Sequence, residues 1–260
     1  MTLWQGVVLG LVQGLTEFLP VSSSGHLVLV EHLLGVKMPG VFFEVSLHVA
    51  TLGSVLVVYG RRLGAILVGV ARRDPPSLRY FWMLVLGTLP AGIVGVALHR
   101  RIEEAFSSLA FVGCAFLVTG LILWSTRRRA GQVTEPRATD ALAIGFAQAV
   151  AILPGISRSG STVSAALWRN LGPAAAAEFS FLLAVPVIAG AALLEGRHAT
   201  ASLAAIGVVP FVTAFVVAFA SGIWAIRFLV ALLKRGRFYA FAPYCWAVGV
   251  LTLALALWRR

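Results

Sequence analysis

Two short stretches hold most of the chemistry that this chain could perform. "QGLTEFLPVSSSGH", residues 13–26, contains Gln13, Glu17, Ser22, Ser23, Ser24, Gly25 and His26. "PGISRSGST", residues 154–162, contains Ser157, Arg158, Ser159, Gly160, Ser161 and Thr162. Both stretches interrupt strongly apolar sequence. An ionisable side chain in an apolar span costs about 2.5–3.5 kcal/mol on insertion scales, so such residues are first of all functional candidates. The candidates are Glu17, His26, Glu44, His48, Arg158 and Glu178.

The residue types suit an anion. Each stretch breaks a helical pattern at a proline and restarts it after a Ser/Gly loop. A restarting helix offers free N–H groups and a partial positive charge, which together bind anions. Ser22, Ser23, Ser24, Ser157, Ser159, Ser161 and Thr162 add hydroxyl donors, and Gly25 and Gly160 let the backbone come close. Arg158 supplies a planar fork that matches phosphate oxygens. Phosphate fits these groups better than a sugar or an amine. Gln13 and Glu17 lie four residues apart and share a helix face. A carboxylate beside an anion repels it, and a divalent cation bridging Glu17 and the phosphate would resolve that conflict. His26 follows Ser23 by three residues and could activate a hydroxyl or protonate a leaving group.

The elements that must position these residues are transmembrane helices. The 260 residues are 59% hydrophobic and only 12% charged, against about 25% charged in a soluble domain. Six runs, roughly 41–60, 80–98, 106–126, 174–195, 203–227 and 239–258, reach the length of about 20 residues that crosses a bilayer as a helix. Residues 2–35 and 139–171 read instead as half-helix, loop, half-helix. Such backbone is tolerated at membrane depth only where protein or a water-filled cavity satisfies it, so each is expected to be a re-entrant hairpin. The N-terminus has no basic n-region or A-x-A site and is not expected to be a cleaved signal peptide. The chain reads as one membrane domain over residues 1–260 with no soluble domain.

The halves align on each other. Pro20 pairs with Pro154, Ser23 with Ser157, Glu44 with Glu178 and Ser46 with Ser180, all at an offset of 134 residues. The expected fold is therefore an all-α polytopic membrane protein built as an inverted repeat. Repeat 1 covers about 1–130 and repeat 2 about 135–260, each with one re-entrant helical hairpin and three transmembrane helices. A hairpin crosses nothing and three spans reverse sides, so the second copy sits upside down. The two hairpin tips then meet near the midplane.

The net charge of +11 does not indicate nucleic acid, because the basic residues sit in short loops between apolar runs. Fourteen of them would share one face: Arg61, Arg62, Arg72, Arg73, Arg79, Arg127, Arg128, Arg129, Arg137, Arg169, Arg227, Lys234, Arg235 and Arg237. The positive-inside bias makes that face cytoplasmic and puts both termini outside. Cys114 and Cys245 lie in apolar runs and read as packing residues.

These residues bring a resemblance. Gln13 and Glu17 with "FLPVSSSGH", and "PGISRSGST" with "EFSFLLAVP", make the chain similar to the undecaprenyl-diphosphate phosphatase family, the bacitracin-resistance integral membrane phosphatases, over nearly its whole length. The resemblance implies hydrolysis of undecaprenyl (polyprenyl) diphosphate to the monophosphate and inorganic phosphate, which recycles the lipid carrier for cell-wall peptidoglycan synthesis. It also implies Mg²⁺ or Ca²⁺, a multi-pass place in the bacterial plasma membrane, and a site open to the external face. A homodimer is a possible assembly. By resemblance, Glu17, Ser23, His26 and Arg158 are the catalytic set, supported by Gln13, Ser24, Ser157 and Thr162. The family's first acidic motif is often Glu-x-x-x-Glu, and Gln13 takes the place of its first Glu.

Plainer readings compete for some residues. Glu44 and Glu178 suit accepting N–H bonds from an adjacent hairpin as well as touching a ligand. His48 reads more readily as a packing residue, and Gly6, Gly10 and Gly14 as a helix-packing stripe. A transporter or flippase of the lipid phosphate would use the same anion site but needs no nucleophile. An intramembrane serine protease has no use for Arg158.

Overall fold

The computed structural model describes residues 1–35, 42–129, 131–195 and 206–258. Among them the fold is all-α, with no β-strand beyond one isolated bridge between Val133 and Leu171. The helices are α1 (Leu3–Phe18), α2 (Ser23–Leu34), α3 (Phe42–Ala71), α4 (Pro75–Ala97), α5 (His99–Phe106), α6 (Leu109–Trp124), α7 (Ala138–Val150), α8 (Arg158–Trp168), α9 (Pro173–Glu195), α10 (Val208–Lys234) and α11 (Ala242–Trp258), with a 3₁₀ turn at Phe238–Phe241 before α11. Among the described residues five helices are long and apolar enough to cross a bilayer, and six if α5 and α6, which meet at a 94° bend, count as one span. The chain is a polytopic helical membrane protein. Lys37, Arg197, His198, Arg259 and Arg260 lie outside the described residues.

All six sequence-derived spans correspond to helices, and both interrupted regions are helix–break–helix units. The breaks fall at residues 19–22 and 151–157. Two spans outrun their hydropathic limits. Helix α3 continues through Arg61 and Arg62 to Ala71, and α10 continues to Lys234. Arg and Lys are good helix formers whose long stems let the charge reach water, so a rise in charge does not end a helix. The ends come instead at Asp74, which caps α4 ahead of Pro75 and Pro76, and at Gly236, whose φ is +65°.

Packing is reciprocal between the halves. Helix α1 lies along α10 and α7 along α4, while α3 packs on α9 and α6 on α11. The stripe of Gly6, Gly10 and Gly14 is indeed helix packing. A Cβ on Gly6 would lie 2.6 Å from the Pro210 carbonyl oxygen, and those on Gly10 and Gly14 would strike the backbone of Ala214 and Ala218.

Polar contacts tie the basic segments to one end of the bundle. Arg79 pairs with Glu135. The amides of Gln132 and Val133 both donate to the Asn170 carbonyl, 3.1 and 3.0 Å, at the end of α8. Arg169 Nε donates to Asp140 Oδ1 at 2.7 Å, closing the base of the α7–α8 hairpin. Arg62 Nε donates to Glu178 Oε1 at 2.9 Å, and Trp124 meets Tyr239 edge-on. At the other end the Met1 amine donates to the Ile206 carbonyl and Phe42 stacks on Phe211.

Candidate active site

Helix α1 turns Gln13 and Glu17 inward, on a face adjacent to its glycine stripe; their exposures are 0% and 5%. The helix ends because Pro20 cannot donate and disfavours helical backbone before it. Ser22 then adopts φ +69°, a costly value for a residue with a Cβ. This bend starts α2, and Ser22 caps it, Oγ accepting from the Gly25 amide at 3.3 Å. In the other break Gly155 takes φ +92°, which glycine allows freely. Ser157 caps α8, Oγ accepting from the Gly160 amide at 3.0 Å. Thr119 of α6 pins this second loop, donating to the Gly155 carbonyl at 2.9 Å and accepting from the Ser157 amide at 3.1 Å.

The two tips touch. A Cβ on Gly25 would sit 2.9 Å from Gly155 Cα, and one on Gly160 would sit 3.3 Å from Pro20 Cβ. Ser159 Oγ donates to the Leu19 carbonyl at 3.1 Å. The first turns of α2 and α8 thus lie side by side, with N–H groups that the helices themselves leave unused.

Glu17 is the hub. Its Oε2 accepts from Ser23 Oγ at 2.6 Å and Gln13 Nε2 at 3.1 Å, and lies 3.2 Å from His48 Nε2. Its Oε1 pairs with Arg158 Nη2. Arg158 Nη1 is buried with no protein partner, as is Gln13 Oε1. His26 Nδ1 lies 2.7 Å from the Ser22 carbonyl and Nε2 lies 2.8 Å from the Tyr244 hydroxyl. Ser23 and His26 are therefore not paired; the carboxylate of Glu17 holds the Ser23 hydroxyl.

The remaining hydroxyls divide. Ser22 and Ser157 serve as caps, and Thr162 donates to the Arg158 carbonyl at 2.8 Å and meets Ser180 Oγ at 2.6 Å. Ser24 is only partly buried and contacts Ser22 Oγ at 3.4 Å. Ser161 is buried, its Oγ unpartnered. Glu178 accepts from Arg62 and from Tyr80, 3.2 Å, rather than from a hairpin amide.

Two further residues reach the site, one of them, Tyr244, missed by sequence reasoning. His48, whose plainer reading is a satisfied packing residue, meets the Glu44 carbonyl through Nδ1 at 2.8 Å and Glu17 Oε2 through Nε2 at 3.2 Å. Its presence among the ionisable residues of an apolar span was the available signal. Tyr244 gave no signal, since its role depends on α11 meeting the first tip in space.

A protein-held divalent cation does not fit these residues. A hard cation held by protein groups alone needs several oxygen ligands, charged ones above all, whereas Glu17 already accepts from its neighbours on both oxygens. Gln13 turns its amide nitrogen toward it, leaving Oε1 as a single neutral donor. No group of three or more His, Cys, Asp or Glu that could hold a metal occurs among the described residues.

Comparison with known proteins gives the family. Residues 6–251 match the family model described as bacitracin resistance protein BacA. An undecaprenyl-diphosphatase of Desulfosudis oleivorans is 46% identical, over 97% of this chain and 98% of its own. Those of Carboxydothermus hydrogenoformans and Thermomicrobium roseum are 40% and 39% identical, covering 98% and 100% of this chain and the same shares of their own. All three alignments run over nearly the whole of this chain, both interrupted regions included, and the chain belongs to the bacitracin resistance protein BacA family.

Proposed function

We propose that this protein hydrolyses undecaprenyl diphosphate to the monophosphate and inorganic phosphate in the bacterial plasma membrane. The observation that carries this reading is Arg158. One terminal guanidinium nitrogen, Nη2, holds Glu17, the other, Nη1, is buried without a protein partner, and the N-termini of α2 and α8 converge beside it. A buried unpaired donor at two helix N-termini calls for an anion. The names of the relatives supply the substrate: each is an undecaprenyl-diphosphatase.

The chemistry follows from the residues present. The terminal phosphate draws Arg158 away from Glu17 and binds the free N–H groups of α2 and α8. Glu17, relieved of one cation, takes the Ser23 proton across their 2.6 Å bond. Ser23 Oγ attacks the terminal phosphorus, the bond to the bridging oxygen breaks, and undecaprenyl phosphate leaves. Arg158 stabilises the charge spread over the phosphoryl oxygens. Water then cleaves the phosphoserine and gives its proton to His26, once Nε2 is released from the Tyr244 hydroxyl, and Ser23 recovers a proton from Glu17. The bonded Ser23–Glu17 pair favours hydrolysis over transport alone, which needs no activated hydroxyl. No step here runs through a metal; Mg²⁺ or Ca²⁺ enters the proposal only as a counter-ion carried on the diphosphate oxygens.

The inverted repeat belongs to the same reading. The reciprocal packing of the halves and the gathering of basic segments at one end support it. The basic end is then cytoplasmic, and the α1–α2 hairpin opens the site to the external face. The direct test is phosphate release from purified protein in detergent with undecaprenyl diphosphate. Wild type should turn over and Arg158→Lys should not, because a point charge cannot hold two oxygens as the fork does. Absence of release by wild type, or full activity of Arg158→Lys, would overturn the reading.

A further inference from the structure

His26 is clamped from three sides. Its Nδ1 lies 2.7 Å from the Ser22 carbonyl oxygen, its Nε2 lies 2.8 Å from the Tyr244 hydroxyl, and Phe116 packs edge-on with centroids 5.0 Å apart. A carbonyl oxygen only accepts, so Nδ1 carries the hydrogen. In the neutral ring Nε2 is then the lone pair, and the Tyr244 hydroxyl donates to it. The two rings are nearly parallel, at 2°.

The place of Tyr244 in the fold shows what the contact does. It lies on the first turn of α11, and its neighbours dock the same turn onto the site: Cys245 Sγ donates to the Pro20 carbonyl at 3.6 Å and Trp246 Nε1 to the Leu117 carbonyl at 3.2 Å. Cys245 is fully buried, whereas Tyr244 is 46% exposed and His26 only 7%. Tyr244 therefore covers the reactive nitrogen of His26 on its open side. It comes from the second half of the chain, while His26 comes from the first.

We propose that Tyr244 is a positioning residue for the reaction, its hydroxyl holding the Nε2 lone pair of His26 until the diphosphate displaces it. While bonded, the hydroxyl keeps the imidazole in one tautomer and one orientation. When phosphate oxygens enter, the hydroxyl is free to turn to them and Nε2 is released to take a proton. Loss of the hydroxyl then lowers turnover without weakening substrate binding, because the bond it makes in the resting site is one that the substrate must break.

The kinetic part rests on the proposed role of His26; the chemical part does not. The experiment has two arms on purified full-length protein. In the first, diethyl pyrocarbonate modifies the histidines without substrate, and modification of His26 is followed by peptide mass spectrometry. Tyr244→Phe keeps the ring and removes the hydroxyl, so His26 should react about threefold to tenfold faster, the size expected from breaking one neutral hydrogen bond. Trp246→Phe loosens the same helix turn without touching His26 and should leave its reactivity at the wild-type rate. In the second arm, Tyr244→Phe should lower kcat with undecaprenyl diphosphate by a similar factor and leave KM level or lower. Unchanged His26 reactivity in Tyr244→Phe, an equal rise in Trp246→Phe, or an unchanged kcat would each overturn the proposal. His26→Ala separates the two readings: if it turns over at the wild-type rate, the catalytic role of His26 fails, while the labelling arm still decides whether Tyr244 covers its Nε2.

Discussion

Ser23 gives its hydroxyl hydrogen to Glu17, Oγ to Oε2 at 2.6 Å, while both ring nitrogens of His26 are engaged elsewhere. Three-residue spacing makes Ser23 and His26 look like a nucleophile and its base. The spacing misleads because Ser23 is the first residue of α2, next to the break, and the bend at Ser22 turns it back toward α1. His26, one turn on, faces α6 and α11 instead. The serine and the carboxylate are thus one hydrogen-bonded unit assembled across the break, and the proposed mechanism uses them as one.

A unit of this kind is non-additive. Ser23→Ala and Glu17→Gln should each lower kcat by about a thousandfold or more, and the double variant should lose no more than the worse single one. The measurement is steady-state phosphate release from folded protein. Ser23→Ala retaining more than about a tenth of wild-type turnover, a loss below 1.4 kcal/mol, would show that water attacks directly. Multiplying losses in the double variant would show that Ser23 and Glu17 act separately.

His48 sits between two acceptors, the Glu44 carbonyl at 2.8 Å and Glu17 Oε2 at 3.2 Å. A neutral imidazole has one N–H, so both contacts are satisfied only if both nitrogens carry hydrogen. His48 and Arg158 then flank the carboxylate of Glu17 as two donors of positive charge. His48→Leu removes a charge-assisted bond and should lower kcat/KM about tenfold to a hundredfold. His48→Gln keeps one N–H and should lose less. Equal, near-wild-type rates in both folded variants would return His48 to a packing role.

The sequence displays the hairpins and spans for a simple reason. A bilayer imposes one length and one polarity on every crossing, so interruptions such as "LPVSSSGH" and "LPGISRSGS" stand out against apolar neighbours. The same uniformity hides side-chain partners. Which hydroxyl meets Glu17 depends on the Ser22 bend, and which ring meets His26 depends on α11 docking on Pro20. Arg158 was recognisable because its charge is costly in an apolar stretch; Tyr244 was not, because a tyrosine at the start of a span carries no such cost. Thr162 shows the same limit. It reads as a phosphate ligand in its motif, yet its hydroxyl is bonded to Arg158 and Ser180.

Orientation in the membrane can be checked independently of chemistry. With Cys114 and Cys245 replaced, single cysteines at Arg72 and Thr2 probe the two ends of the bundle. An impermeant thiol reagent on intact cells should label position 2 and leave position 72 unlabelled until the cells are opened. The reverse pattern would place the basic end outside and sink both the topology and the outward-opening site.

Gln13 offers the sharpest test of how this site manages charge. Its amide nitrogen donates to Glu17 Oε2 at 3.1 Å, and its oxygen is buried without a partner. A glutamate at position 13 turns that donor into a second acceptor against the first. Two buried carboxylates in contact cannot both stay charged without a cation between them. In the wild type Gln13, Ser23, His48 and Arg158 already satisfy Glu17, so a cation gains little there. Gln13→Glu should therefore create a protein-held divalent site that the wild type lacks. The readout is thermal unfolding in detergent without substrate: Ca²⁺ at a hundredfold excess over its Kd should raise the midpoint of Gln13→Glu by about 5 °C and leave wild type unmoved. A shift of equal size in wild type would mean that Glu17 holds a cation despite its donors, and the self-neutralised reading of the site would fall. A shift in neither, with activity lost in Gln13→Glu, would mean that the added carboxyl stays protonated and that residues 13 and 17 do not form a metal site in this chain.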